Sequence, residues 1–218
     1  NDLSFLAAED ISEKIKGMKM KAVPVQADVT KAEEVERMFE EAVSAFGRVD
    51  ILVSNAGVRR DSEIHAMTED QWDQVIETQM KGCFNCVQQA QKYMIRESYG
   101  KIIIIASPVP SGLGESGQVN YSAANAALMG MTAPLAIELG KYNINVNCIA
   151  PDFIVTQMTR DHVRNHDMFL DDYKKAVLAH IPLRRMGQAE DVAGVAAFLA
   201  SEESSFVSGQ VIGVKGGP

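Results

Sequence analysis

The sequence predicts an α/β fold, a doubly wound parallel sheet flanked by helices, on three observations. Short apolar runs alternate with longer helical segments along the chain, the pattern of a parallel sheet covered on both faces. With 218 residues, 46% of them hydrophobic and 23% charged, the chain can bury one good core. No repeat, low-complexity tract or linker divides it, so residues 1–218 are expected to form a single domain.

The elements follow in order. A helix is expected over Leu6 to Lys16, then a strand from Ala22 to Gln26. The next helix runs from Ala32 to Phe46, where Thr30 followed by Glu33 forms a capping-box pattern. Ile51 to Ser54 is the second strand, and a long helix covers Glu69 to Glu97 behind a second capping pattern, Thr68 with Gln71. Lys101 to Ala106 is a strand, and Tyr121 to Leu139 a helix. Pro134 interrupts that helix at a cost of ~3 kcal/mol or a kink. Strands at Asn145 to Ile149 and Val211 to Val214 enclose a helix at Ala189 to Ala200.

Charge narrows the partners. A net charge of −8 and a pI near 5.0 argue against nucleic acid and anionic membrane, which repel such a surface at long range. No apolar run approaches the ~18 residues a spanning helix needs, so no membrane span is expected. Three cysteines give no disulfide framework and point to a reducing compartment, the cytoplasm or one like it. Cys83 and Cys86 form a C-x-x-C within a helical stretch but have no second pair. They read as small core residues, and no metal site is expected.

Tyr121 and Asn125 stand four positions apart, on one face of a helix, where a cation at the second position would hold down the phenol's pKa and a neutral asparagine does not. Around them stand Ala27-Asp28-Val29, Ser54-Asn55-Ala56-Gly57, Ser107, Asn120-Tyr121-Ser122-Ala123-Ala124, Asn147-Cys148-Ile149-Ala150-Pro151, Ile181-Pro182-Leu183, and Ser208-Gly209-Gln210-Val211 before Gly216-Gly217. Each motif is short, but in this order they are specific. Over nearly its whole length the chain resembles the short-chain dehydrogenases/reductases, most closely their 3-oxoacyl-(acyl-carrier-protein) reductase-like members. The resemblance implies a Rossmann-like domain. It also implies a strand, a glycine-rich turn, a helix and a second strand ahead of Asn1, a unit on the order of 30 residues. These residues are therefore expected to be part of a longer polypeptide, with an intact mass several kilodaltons above 23.8 kDa; the alternative is a naturally truncated protein with a rearranged sheet. Without that unit the strand at Ala22 to Gln26 has no ladder partner and the strand at Ile51 becomes a bare edge.

The resemblance also implies a nicotinamide cofactor and a site for it. Asp2 lies 26 residues before Asp28 (28 − 2 = 26), where relatives carry an acidic residue that accepts hydrogen bonds from the adenosine ribose and repels a 2′-phosphate. This favours NAD, with NADP not excluded; the alternative is that Asp2 only caps the following helix. Asp28 and Val29 resemble the adenine-side pair. Asn55, Ala56 and Gly57 fall at a strand end, where doubly wound sheets bind ligands and small residues let the backbone come close. Pro151, Asp152, Ile154 and Thr156 resemble the segment over the nicotinamide, with Ile154 offering backbone and Thr156 its hydroxyl to the carboxamide. Asp152 stands where the family has glycine, and its charge is expected to hinder binding.

For the chemistry, Tyr121 matches the family's proton donor. Ser107, counted from the preceding strand, matches the serine that holds the carbonyl oxygen; counted back from Tyr121, that place falls on Pro108. Gln79 takes the place of the asparagine that anchors a proton-relay water. Asn125 replaces the lysine, and it can bond a ribose hydroxyl but supplies no charge to a phenol with pKa about 10. Lys215 stands where relatives often carry aspartate. Residues 158–187 resemble the substrate lid, with Met168, Phe169, Leu170 and Tyr173 available either to touch an acyl chain or to pack the lid onto the domain. The implied activity is an NAD(P)-dependent oxidoreductase interconverting a small-molecule ketone and a secondary alcohol, with 3-oxoacyl and 3-hydroxyacyl thioesters as candidates. The alternative is a catalytically impaired member serving as scaffold or regulatory subunit. A homodimer or homotetramer through the helices at 69–97 and 121–139 is implied in either case.

Overall fold

In the computed structural model residues 1–108, 116–165 and 170–217 are described. Helix α1 (Phe5–Gly17) and helix α2 (Ala32–Phe46) precede strand β1 (Ile51–Ser54). Helix α3 (Glu69–Ile76), a π-helical turn (Glu77–Lys81) and helix α4 (Gly82–Glu97) lead to strand β2 (Gly100–Ile105). Helix α5 (Val119–Gly140) connects to strand β3 (Ile144–Pro151). Helices α6 (Gln157–Asn165), α7 (Leu170–Leu178) and α8 (Ala189–Ala200) precede strand β4 (Val211–Val214).

The four strands form one sheet in the order β1-β2-β3-β4, every pair parallel. Ile51 pairs Lys101, Ile102 pairs Val146, and Cys148 pairs Val211. Parallel neighbours need crossover connections, which helices supply here. Side chains of a strand point alternately to the two faces. Ile102, Ile104, Val146 and Cys148 accordingly join one core cluster with Val35 and Phe39 of α2, Val87 and Ala90 of α4, and Leu128 of α5. Ile103 and Ile149 turn to the opposite face and pack with Leu199 of α8. Both faces are thus buried, and the predicted doubly wound α/β class holds.

Three local expectations are corrected. Ala22 to Gln26 is not a strand of the sheet: Gln26 makes a single parallel bridge to Asp2, with the Asp2 N–H on the Val25 carbonyl at 3.3 Å and the Ala27 N–H on the Asp2 carbonyl at 3.2 Å. Among the described residues no second ladder flanks this segment, while Ile51 and Val53 of β1 lie at the sheet's edge, 45% and 48% exposed. Thr30 does not cap α2. Lys31 occupies the N-cap, the Asp28 carboxylate accepts the Thr30 N–H at 2.9 Å, and Glu34 accepts the Asp28 N–H at 2.9 Å. The expected helix at 69–97 is broken by the π turn, although its capping box forms, with the Gln71 N–H on the Thr68 hydroxyl at 3.2 Å and the Thr68 N–H on the Gln71 side chain at 2.9 Å. The helix expected at Tyr121 to Leu139 is present as α5, with Pro134 inside it.

Candidate active site

Because all four strands run the same way, their carboxyl ends deliver chemistry to one edge of the sheet, the place where open α/β sheets bind ligands. Asn55, Ala56 and Gly57 follow β1, Ser107 follows β2 by two residues, Pro151 closes β3, and Lys215 follows β4. Asn55 and Ala56 are exposed there.

Tyr121 sits in the first turn of α5, and its neighbour fixes that turn in place. Asn120 is fully buried. Its amide N–H groups donate to the Arg60 and Gln71 carbonyls, each at 3.0 Å, and its side-chain oxygen accepts the Tyr121 N–H at 2.8 Å. The start of α5 is thereby tied to the loop after β1 and to α3.

Behind the phenol stands a row of buried amides. Asn125 donates to the Tyr121 carbonyl at 2.8 Å and to the Gln79 side-chain oxygen at 3.4 Å, and both side chains are buried. Gln79 lies on the π turn, an element that adds one residue to a helical turn and recurs at functional sites. A Cβ at Gly57 would stand 3.0 Å from the Gln79 amide nitrogen, so the strand-end turn packs directly on this row. Gly57, Gln79, Asn125 and Tyr121, dispersed in sequence, form one contiguous group.

Burial pushes the Tyr121 phenol's pKa up. The Arg59 charge is the largest opposing influence, followed by hydrogen bonding from Ser107 and from Asn125, while Asp61 adds a smaller upward push. Ser107 therefore stands beside the phenol. The Arg59 guanidinium carbon lies 5.5 Å from the Tyr121 ring centroid. Both Arg59 and Asp61 are mostly buried, at 20% and 18% side-chain exposure, and they pair with each other. Arg59 has no place among the residues expected from sequence. Its signal was the charged run Arg59-Arg60-Asp61 directly after Asn55-Ala56-Gly57 at a strand end.

The remaining expected residues fall into three groups. Asp2 lies alongside Val25, Gln26 and Ala27 through its backbone bridge, and its carboxylate accepts the Ser4 N–H at 2.8 Å while Ser4 itself caps α1. Val29 is buried, its carbonyl accepting the Asn85 amide of α4 at 2.8 Å. On the β3 side, the Asp152 N–H donates to the Val214 carbonyl at 3.0 Å, and Ile154 bridges to Gly187. The Thr156 hydroxyl accepts the Thr159 N–H at 3.3 Å, at the start of α6. Tyr173 of α7 packs on a small cluster of Val177, Ile181 and Met186 together with Phe153 and Val155. Met168, Phe169 and the side chain of Leu170 lie outside the described residues. Among the described residues no group of three or more acidic, histidine or cysteine side chains is arranged to hold a metal ion.

A family model described as enoyl-(acyl carrier protein) reductase matches residues 2–218. The chain is 43% identical over 210 residues to the 3-oxoacyl-(acyl-carrier-protein) reductase FabG of Staphylococcus aureus strain Mu50, covering 96% of this chain and 82% of that protein. It is 40% identical over 217 residues to the reductase of the same name from Thermotoga maritima, covering 99% and 85%. Among solved structures, YwfH, an NADPH-dependent reductase involved in bacilysin biosynthesis, superimposes with a TM-score of 0.91 at 27% identity, covering 100% of this chain and 86% of that one. With a family match across nearly its full length and relatives this similar, the chain belongs to the short-chain dehydrogenase/reductase family.

Proposed function

We propose that this protein is an NAD(P)-dependent oxidoreductase that interconverts a ketone and a secondary alcohol, acting on 3-oxoacyl and 3-hydroxyacyl thioesters. One observation carries the reading: the Tyr121 phenol and the Ser107 hydroxyl meet at the carboxyl edge of a parallel sheet, backed by the buried amides of Asn125 and Gln79. The thioester class rests on the names of the relatives.

The small, exposed strand end Asn55-Ala56 and the cradle at Gly57 suit a dinucleotide lying across this edge, with Asp28, Val29, Pro151, Asp152, Ile154 and Thr156 along it. A bound nicotinamide supplies or accepts the hydride. Tyr121 gives its phenolic proton to the carbonyl oxygen as the alcohol forms, and takes it back in the reverse direction. Ser107 donates a hydrogen bond to the same oxygen, where negative charge builds. Asn125 and Gln79 form the polar wall behind the phenol that anchors a relay water, and that water returns the proton to Tyr121. Asp2, held against Gln26 and Ala27 just before Asp28, supports NAD over NADP, because a carboxylate there repels a 2′-phosphate. Residues 158–187 act as the substrate lid, and Tyr173 serves to hold that lid on the domain. Dimers form through α4 and α5, on which Phe84 and Ile137 stand exposed. Three buried free cysteines suit a reducing compartment such as the cytoplasm.

The test is NADH and NADPH oxidation with acetoacetyl thioesters. The parent turns over, with NADH preferred. Tyr121→Phe lowers kcat by about 10²–10⁴-fold, and Ser107→Ala by about 10²–10³-fold, with little change in cofactor affinity. Tight cofactor binding with no turnover in the parent or in Asn125→Lys would replace this reading with a nucleotide-binding scaffold.

A further inference from the structure

We propose that Arg59 is the positioning residue that supplies the positive charge acting on Tyr121, the task Asn125 cannot perform. This rests on the oxidoreductase reading of the same site and names the electrostatic device that makes it work. Tyr121 must lose its proton to the carbonyl oxygen: the phenolic O–H bond breaks, an O–H bond forms on the product, and a phenolate remains. In a buried site that anion is costly without a nearby cation. Asn125 also bonds the Tyr121 carbonyl and the Gln79 side chain, and being neutral it offers the phenol hydrogen bonding but no charge.

The guanidinium of Arg59 comes from a different direction, over the ring face, with its central carbon 5.5 Å from the ring centroid. Arg59 is four-fifths buried, so water screens its charge little, and its Nε donates to Asp61 at 3.3 Å, which holds the fork in place. Among the described residues, the following groups act on or stand near the phenol. Arg59 and Asp61 are the charged pair from the loop after β1, and Ser107, Asn125, Gln79 and Asn120 are neutral. Glu77 and Lys81 of the π turn pair with each other at 3.4 Å on its exposed side. Arg59 lowers the phenol's pKa more than any other group, and the smaller, opposite effect of Asp61 does not cancel it. Arginine also stays protonated through the whole range in which a tyrosine titrates.

The test is an ultraviolet difference titration of Tyr121, taken as parent minus Tyr121→Phe, repeated on the Arg59→Gln, Arg59→Lys and Asp61→Asn backgrounds. Arg59→Gln is expected to raise the phenol's proton affinity by about tenfold, with Arg59→Lys keeping most of the parent value. Asp61→Asn is expected to move the midpoint the opposite way. The pH profile of kcat/KM shifts in parallel while the KM for NADH stays put. A midpoint unmoved in natively folded Arg59→Gln overturns the proposal. If that variant fails to fold, Arg59→Met, which keeps the apolar stem without the charge, decides, because a raised midpoint supports the proposal and an unmoved one overturns it. The titration needs no turnover, so an inactive protein with a shifting midpoint sinks the oxidoreductase reading and leaves this one standing.

Discussion

Asn120 makes three hydrogen bonds from a fully buried amide, and none of its partners can be replaced by water at that depth. Removing the side chain leaves the Arg60 and Gln71 carbonyls without this donor and frees the Tyr121 N–H, so Asn120→Ala is expected to cost about 2–3 kcal/mol in urea unfolding. The same change lets the first turn of α5 drift, so kcat falls at least as steeply as stability while the KM for cofactor holds. A loss of stability with unchanged kcat would mean that the clamp serves the fold alone. Tyr121, Ser107, Gln79 and Asn125 were legible in the sequence because each sits in a short motif beside a strand end or a helix start. Arg59 was not. Its contact with Tyr121 spans 62 positions (121 − 59 = 62) and approaches the ring from a loop, a relation that neither helical nor strand spacing encodes.

Among the elements, α5 holds the largest conflict between local propensity and observed structure. Pro134 sits inside a 22-residue helix, exposed, with no N–H to offer the Gly130 carbonyl one turn earlier. The helix continues because its buried face is anchored on both sides of the proline: Leu128 and Leu139 pack in the main core, and the Thr132 hydroxyl donates to the Leu128 carbonyl at 3.1 Å. Pro134→Ala restores a helical N–H at a solvent-facing position and is expected to stabilise by about 2 kcal/mol, read as a higher urea midpoint. A lower midpoint would show that the bend imposed by the proline is required for α5 to lie on β3. Tertiary packing overrides propensity here, and it does so elsewhere in the chain. The five-residue run Ala22 to Gln26 looks like a strand because strand propensity is local, yet a strand exists only where a neighbour offers a ladder, and among the described residues only Asp2 bridges to it. Thr30 fits a capping pattern as well, but Asp28 takes its N–H first. The π turn is invisible to periodicity because one extra residue shifts the helical face without changing its composition.

Over the molecule as a whole, the covered sheet sets the chemistry of its three thiols. Cys83 and Cys86 of α4 and Cys148 of β3 belong to the same core cluster, between helix and sheet, and all are free. Desolvation raises each of them, Cys86 to about 12 and Cys148 to about 11. The thiolate is the reactive form. Near pH 8 the folded protein then holds on the order of one thiolate in ten thousand at Cys86 and one in a thousand at Cys148, against a sizeable fraction for an exposed cysteine. The C-x-x-C spacing therefore does not confer redox reactivity, because burial acts on both sulfurs in the direction opposite to activation. Alkylation followed by mass spectrometry should leave all three unlabelled in the native protein and label all three together in denaturant, since modification must wait for the sheet and helices to part. Rapid labelling of Cys83 and Cys86 with the sheet intact would instead mean that α4 lifts from the sheet independently. In that case Asn85, which ties α4 to the Val29 carbonyl at 2.8 Å, would be the contact to examine, and Asn85→Ala should accelerate the labelling further.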